Sequence, residues 1–187
     1  VLDVCAAPGG KATELGARLK GVGVLAANDL SSSRAKGLLK NLELLGIGNI
    51  LVLSEEPGKL IPCFREYFDK ILIDAPCSGF GVTAENPDIR LFRKEDDLVG
   101  IKKAQRAILA ACAGYVKKGG VLYYSTCSVF GEENDGAVEH FLKENDAFEV
   151  CSAQSPLSFV RKKYGIQFLP HLTGGAGFYF AKLKRVR

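Results

Sequence analysis

The sequence has no methionine, no tryptophan and only two histidines, His140 and His171, among its 187 residues. Its six cysteines are widely spaced, since the two closest, Cys63 and Cys77, lie 14 positions apart. This spacing excludes a C-x-x-C metal-binding pair and a compact disulfide framework. We therefore expect free thiols and no metal site.

Long apolar runs are also absent. No stretch approaches the roughly 20 apolar residues that a membrane-spanning helix needs, and no charged-then-apolar signal segment opens the chain. The hydrophobic fraction of 47% and the charged fraction of 25% are those of an ordinary globular protein, and the net charge of +4 is compatible with a polyanionic partner. We expect a monomeric cytoplasmic protein with no membrane partner.

The chain begins with a segment, residues 1–4, that already has the pattern of a core strand, and no initiator methionine precedes it. At this length one domain is the simplest expectation. We therefore expect a single domain over residues 1–187, excised from a longer protein whose upstream region is missing.

Short apolar blocks alternate with helical patterns, which predicts an α/β fold with a doubly wound, mostly parallel sheet and helices on both faces. The predicted strands are residues 1–5, 24–27, 50–53, 71–73, 121–124, 148–151 and 177–181. Helices are expected from Lys11, from the serines at 31–33, over residues 98–116 and from Glu132, and residues 117–120 (KKGG) are typical of a helix end.

The sequence Asp-Ala-Pro-Cys-Ser-Gly at residues 74–79 follows the buried strand 71–73. Pro76 forbids further ladder pairing, and Gly79 permits a tight loop. Ligands of open α/β sheets lie beyond the carboxyl ends of the strands, so Asp74 and Cys77 are predicted to lie where a reacting group belongs. The alternative is a small buried cysteine at a strand exit.

A second thiol, Cys127, follows strand 121–124 in the same way. Consecutive strands of a parallel sheet are often neighbours, which would bring Cys77 and Cys127 together across one cleft. A helix N-terminus after Ser128 would lower the pKa of the Cys127 thiol and make it a nucleophile. A buried structural cysteine is again the alternative.

A glycine loop and an acidic residue predict a nucleotide-type ligand. Residues 6–10 (AAPGG) join the first strand to a helix, and the exposed N–H groups of such a junction suit a carboxylate or phosphate. Asp29 follows about 20 residues later, which is the spacing of a ribose-binding carboxylate, although it could also cap the turn. Residues 80–97, with Arg90, Arg93 and Lys94, have no apolar period and predict either a functional or a solvated loop.

Three segments together, residues 3–11 (DVCAAPGGK), 74–79 (DAPCSG) and 124–128 (YSTCS) with Glu132-Glu133-Asn134 after the last, resemble the Sun-like RNA cytosine-C5 methyltransferases that use S-adenosylmethionine. The bacterial enzymes that act on small-subunit ribosomal RNA are the most similar. The resemblance implies a Rossmann-like class I methyltransferase fold, with a seven-stranded sheet and an antiparallel closing strand.

The resemblance also implies roles for individual residues. Cys127 would attack carbon 6 of the cytosine, Asp74 would hold the ring at N3, and Cys77 would help to release the product. RNA is the implied partner and S-adenosylmethionine the implied cofactor, with contacts from Ala7, Pro8, Gly9, Gly10, Lys11, Asp29, Arg34, Glu55 and Asp74.

The chain departs from the family pattern in two places. It has Ser54-Glu55-Glu56 where many relatives place Asp-Gly for the adenine, and Thr83-Ala84-Glu85 in a loop that is often basic in relatives. A non-catalytic RNA-binding or ribosome-assembly module with the same fold, and a methyltransferase for a substrate other than a nucleic acid, are the competing hypotheses.

Overall fold

The strands form one sheet that carries helices on both faces. The computed structural model describes residues 1–60 and 62–187. Its strands are β1 (Leu2–Asp3), β2 (Leu25–Asn28), β3 (Ile50–Leu53), β4 (Phe68–Asp74), β5 (Val116–Thr126), β6 (Phe148–Cys151), β7 (Val160–Arg161), β8 (Gly165–Phe168) and β9 (Phe178–Arg185). Its helices are α1 (Gly10–Leu19), α2 (Ser32–Leu44), α3 (Ile89–Phe92), α4 (Glu95–Ala113), α5 (Asp135–Glu144) and α6 (Pro170–Thr173).

The strand order is β3-β2-β1-β4-β5-β9-β8-β7, and β6 pairs with the second half of β9. Strands β1 to β5 are mutually parallel and β9 is antiparallel to β5, which confirms the predicted α/β class and the antiparallel closing strand. The predicted count of seven strands is wrong, because the described residues form nine. The eight-residue β9 pairs with β8 through residues 178–181 and with β6 through residues 182–185, and a short hairpin adds β7.

The boundary between α4 and β5 differs from the prediction. The helix ends at Ala113, and Val116 begins β5 opposite Phe68 with its side chain fully buried. The next pair in the ladder is Lys70 with Val121, so residues 117–120 bulge out of the strand. The KKGG sequence therefore forms a β-bulge and not the end of a helix, since glycine suits both.

Apolar side chains fill both faces of the sheet. One cluster packs β4 and β5 against α4 and α5 and includes Ile71, Leu109 and Phe141, while another packs β2 against α2 through Leu25 and Leu38. Strands buried on both faces explain the continuous apolar runs in the sequence. The packing leaves the loops at the carboxyl ends of β1, β2, β4 and β5 to form one rim.

Glycine at position 81 lets three loops of this rim touch through their backbones. The Gly81 N–H donates to the Cys127 carbonyl oxygen at 2.8 Å, and the Gly177 N–H donates to the Gly81 carbonyl oxygen at 2.7 Å. A Cβ atom at position 81 would meet the Gly177 carbonyl and lie 2.6 Å from the Cys127 oxygen. Only glycine fits this contact without separating the loops.

We expect Gly81→Ala to lower the free energy of unfolding by about 1–3 kcal/mol, because the added methyl group overpacks the contact. Urea unfolding monitored by circular dichroism measures the change. The matched control is Gly100→Ala inside α4, where an added Cβ meets nothing within 4 Å. The control should leave stability unchanged or raise it by up to about 1 kcal/mol, and an equal loss in both variants would contradict the expectation.

Candidate active site

The rim surrounds a cleft of about 710 Å³. Small and apolar side chains of α4, such as Ala104 and Ala107, form one wall, and Leu30 lies on another. The predicted site residues in its lining are Ala7, Asp29, Arg34, Asp74, Cys77 and Cys127. An adjoining cavity of about 290 Å³ is lined by residues of the glycine loop together with Asp3, Lys11 and Asp74.

The two predicted thiols are neighbours. Because Asp74 of β4 pairs with Ser125 of β5, the loops that follow these strands run side by side, and the Cys127 N–H donates to Cys77 Sγ at 3.2 Å. A hydrogen bond between the two side chains lowers the pKa of Cys127 and, together with burial, raises the pKa of Cys77. Cys127 is therefore the thiol that ionises first.

The expected cause of this acidity is wrong. Helix α5 begins at Asp135, eight positions beyond Cys127, so its N-terminus does not follow Ser128. The hydrogen bond from the Cys77 thiol replaces the helix dipole as the main influence that favours the Cys127 thiolate. A contact between residues 50 positions apart leaves no local signal in the sequence.

Asp74 is bonded through both carboxylate oxygens. Lys11 Nζ lies 2.7 Å from its Oδ2, and the Ser125 hydroxyl donates to its Oδ1 at 2.8 Å. The Lys11 ammonium also lies 5.5 Å from the centre of the Phe178 ring. With 29% of its side chain exposed, Asp74 can still accept a further hydrogen bond from a ligand in the cleft.

The glycine loop is held by α2. Arg34 Nη2 donates to the Ala7 carbonyl oxygen at 2.7 Å, and Asn41 Nδ2 donates to that of Pro8 at 2.8 Å. Gly9 has a φ of +117°, which side chains rarely adopt, and helix α1 begins at Gly10. Gly9 therefore shapes the backbone of the loop, whereas Gly10 lines the smaller cavity.

Asp29 is nearly enclosed, with 4% of its side chain exposed at the wall of the cleft. It accepts a hydrogen bond from the Ser31 N–H at 3.0 Å and lies 3.3 Å from Arg34 Nη2. Asn28 holds the neighbouring loop through the backbone of Glu55, and that loop contributes Glu56, Pro57 and Gly58, but not Glu55, to the wall. Cofactor contacts from Asp29, Arg34 and Glu55 remain predictions.

Glu133 and Asn134 were expected at the start of a helix, but both are buried between the thiol-bearing loops. Asn134 accepts a hydrogen bond from the Thr126 hydroxyl and donates to the Ser128 carbonyl oxygen at 3.0 Å, so it holds the residue on each side of Cys127. The Tyr124 hydroxyl donates to the Glu133 carbonyl oxygen at 2.7 Å. Acidic residues before a helix usually meet the dipole in solvent, so the sequence did not indicate this role.

Asp3 is another functional candidate that sequence reasoning did not single out. It is 1% exposed, and neither carboxylate oxygen has a hydrogen-bond partner in the described part of the chain. Burial, and then the nearby Asp74 carboxylate, raise the pKa of Asp3 to about 7. An acid within an apolar strand is unusual, and that was the available signal.

Comparison with known proteins identifies the family of this chain. Residues 1–184 match the family model described as "16S rRNA methyltransferase RsmB/F". The chain belongs to the RsmB/F family. The probable ribosomal RNA small subunit methyltransferase B of Bacillus subtilis is 38% identical over 192 residues, which cover 99% of this chain and 43% of the relative. The chain thus spans less than half the length of the curated relatives it matches.

Solved structures extend this likeness to the fold. The crystal structure of NSun6 from Pyrococcus horikoshii with SFG superposes with a TM-score of 0.85 at 30% identity, covering 100% of this chain and 47% of that one. A SAM-dependent methyltransferase from Aquifex aeolicus, at 17% identity, shares the fold with a TM-score of 0.58 over 97% of this chain and 80% of its own. This RsmB/F domain therefore has the class I methyltransferase fold predicted from its sequence.

The six cysteines are free thiols in the structure. In residues 1–60 and 62–187, no three His, Cys, Asp or Glu side chains are grouped as metal ligands would be. Helices long and apolar enough to cross a bilayer are likewise not found in these ranges. The loop 80–97 contains α3, and its Arg93 donates to the Ser78 carbonyl oxygen at 3.2 Å, which ties it to the Cys77 loop.

We expect Asp3→Asn to stabilise the ligand-free domain at pH 8. Because the folded state holds the Asp3 proton up to a pH of about 7, whereas the unfolded chain loses it near 3.8, the parent should lose stability as pH rises between these values. The predicted gain is on the order of 2–4 kcal/mol at about pH 8 and close to zero at about pH 4.

Urea unfolding at the two pH values measures this difference. The matched control is Asp88→Asn, an exposed position whose side chain makes no capping bond to α3. A gain for Asp3→Asn that is independent of pH would show that the buried charge is not its cause.

Proposed function

We propose that this domain transfers a methyl group from S-adenosylmethionine to carbon 5 of a cytosine in RNA, in small-subunit ribosomal RNA by family, through a covalent adduct of Cys127 with carbon 6. The observation that carries the proposal is the pair of neighbouring thiols, Cys77 and Cys127, beside Asp74 on one cleft, with the Cys127 N–H donating to Cys77 Sγ at 3.2 Å. Methyl transfer to an acceptor that needs no covalent activation would not require this pair of thiols.

The cleft suits the proposed cofactor at both ends. S-adenosylmethionine supplies an electrophilic methyl group when bound. Asp3, buried and without a hydrogen-bond partner in the described residues, suits the ammonium of the methionine part, and the N–H groups of the glycine loop suit its carboxylate. Asp29 lies at the cleft wall where ribose hydroxyls would reach it. The apolar surface of Leu30 and α4 can cover the adenine.

The ionisation order of the thiols supports their proposed roles. Carbon 5 of cytosine is a weak nucleophile, but addition of the Cys127 thiolate to carbon 6 gives an enamine that can attack the methyl group. Asp74, next to the thiols and still able to accept a hydrogen bond, orients the ring. Because Cys127 is the more acidic thiol, it supplies the attacking thiolate while Cys77 stays protonated.

Adduct formation then lowers the pKa of Cys77. The main cause of its raised pKa is the hydrogen bond to the Cys127 sulfur, and that sulfur no longer carries a negative charge once it is bonded to carbon 6. Cys77 becomes more acidic and gives up its proton to solvent, and the resulting thiolate can take the proton from carbon 5. The electrons of that C–H bond re-form the C5–C6 double bond and expel the Cys127 thiolate, which releases the methylated base.

We expect Cys127→Ala to lower the rate of methyl transfer to ribosomal RNA by more than about 10³-fold, because no adduct can form. Cys77→Ala should instead accumulate a protein–RNA complex that survives denaturation, because release is blocked. Transfer of radiolabelled methyl groups and denaturing gel electrophoresis measure the two effects. The control is Cys63→Ala, an exposed thiol outside the cleft lining, and an active Cys127→Ala variant would refute the mechanism.

We expect Asp3→Asn to weaken S-adenosylmethionine binding at least tenfold, about 1.4 kcal/mol, because the ammonium loses its carboxylate. Binding to the parent should weaken as pH falls below about 7, since Asp3 takes up a proton there. Titration calorimetry at several pH values measures both effects. An affinity of the parent that is constant between about pH 6 and about pH 8 would separate Asp3 from cofactor binding.

A further inference from the structure

The carboxylate of Glu133 lies between the two loops that carry the thiols, and 1% of the residue is exposed. It accepts a hydrogen bond from the Ser78 N–H at 2.8 Å, one from Gln105 Nε2 at 3.1 Å and one from the Ser128 hydroxyl at 2.6 Å. All three donors are uncharged, so the carboxylate is held by hydrogen bonds. A buried carboxylate with this many donors is fixed in one place.

Each of these donors belongs to, or is bonded to, a loop that carries a thiol. Ser78 directly follows Cys77, and Gln105 also donates to the carbonyl oxygen of Pro76 at 3.0 Å, so the residues before and after Cys77 are both held. Ser128 directly follows Cys127. One carboxylate therefore ties the loop of the releasing thiol to the loop of the attacking thiol.

We propose that Glu133 is a positioning residue that sets the distance between Cys77 and Cys127, and with it the contact of the Cys77 sulfur with Cys127. This inference rests on the proposed function, because it assigns the reason for the arrangement to the order in which the thiols react. Glu133 acts through Ser78 and Ser128 and does not touch the substrate.

The donors around Glu133 predict which substitutions preserve the arrangement. Alanine would leave three buried donors unpaired and would remove the carboxylate that links the two loops beside the thiols. Glutamine can keep all three contacts, because its carbonyl oxygen can accept from Ser78 and Gln105 while its amide donates to the Ser128 oxygen. The proposal therefore requires that glutamine rescue what alanine removes.

The charged and titratable groups that face Cys127 are few in the described structure. They are Asp74 at the end of β4, Cys77 in the loop that follows, Lys11 of α1 in its ion pair with Asp74, and Glu133 before α5. The Glu133 carboxylate by itself disfavours the Cys127 thiolate, so loss of charge alone should make Cys127 more reactive. Loss of position should make it less reactive, and the two effects have opposite signs.

The test is the alkylation rate of each cysteine by iodoacetamide between about pH 6 and about pH 9, measured by peptide mass spectrometry on the domain without RNA or cofactor. The exposed Cys63 is the internal reference. In the parent, Cys127 should react faster than Cys77 at neutral pH. Glu133→Ala should reduce the ratio of the Cys127 rate to the Cys77 rate about tenfold, the equivalent of one pKa unit. Glu133→Gln should retain or increase it.

The control is Glu132→Ala at the exposed neighbouring residue, which should leave the ratio of the two alkylation rates unchanged. Thermal unfolding shows whether each variant is folded at the assay temperature. If Glu133→Ala does not fold, the alternative variant is Ser128→Ala, which removes the bond to Glu133 on the Cys127 side together with the contacts of the Ser128 hydroxyl to Ser78 and to the Phe130 N–H. It should reduce the ratio of the Cys127 rate to the Cys77 rate by a smaller factor. The proposal is overturned if a folded Glu133→Ala variant, or Ser128→Ala in its place, keeps the rate ratio of the parent.

The proposed function is tested separately by methyl transfer. The predicted alkylation pattern together with a parent that never methylates RNA would refute the function and leave Glu133 as a residue that sets the thiol pair. If the parent is active but the ratio of the two alkylation rates does not change when Glu133 is replaced, the positioning role alone is refuted.

Discussion

The register between β4 and β5 is the constraint on which the site depends. Asp74 lies opposite Ser125, so the segments that leave the sheet after these residues begin at the same height and stay in contact. A shift of one residue would turn the inward side chains of a strand outward, and the buried Ile71, Ile73, Leu122 and Tyr124 make such a shift very unfavourable. The hydrophobic core therefore fixes where two polar loops meet.

Beyond the strand ends, the loops are held by contacts of two kinds. Backbone bonds at Gly81 join the rim where side chains would not fit, and the side chains of Glu133 and Asn134 join it where the loops diverge. Both kinds link segments that are far apart in the sequence, so the thiol pair is rigid without a disulfide. The proposed reaction uses the two thiols in sequence and requires such rigidity, because a hydrogen bond weakens when its donor–acceptor distance changes by a few tenths of an ångström.

The sequence predicted the parts of the molecule that local patterns determine. Continuous apolar runs located five parallel strands, and the polar residues after them located Asp74, Cys77 and Cys127. Local patterns failed where distant packing decides the outcome: residues 117–120 form a bulge because Val116 is buried opposite Phe68. The hairpin of β7 and β8 lies in a polar stretch without alternation, and the environment of Glu133 is created by Ser78, 55 positions away.

The two buried acids of the rim illustrate how hydrogen bonding separates support from binding. Glu133 accepts three hydrogen bonds from the protein, so it has little capacity left for a ligand and serves the structure around it. Asp3, equally buried, has no such partner in the described residues, and the nearby Lys11 ammonium is already paired with Asp74. A fold gains no stability from an unpaired buried carboxylate, which favours a protonated form near neutral pH. The unfavourable burial becomes favourable only when a cation enters the cavity, and this is why we assign Asp3, and not Glu133, to the cofactor.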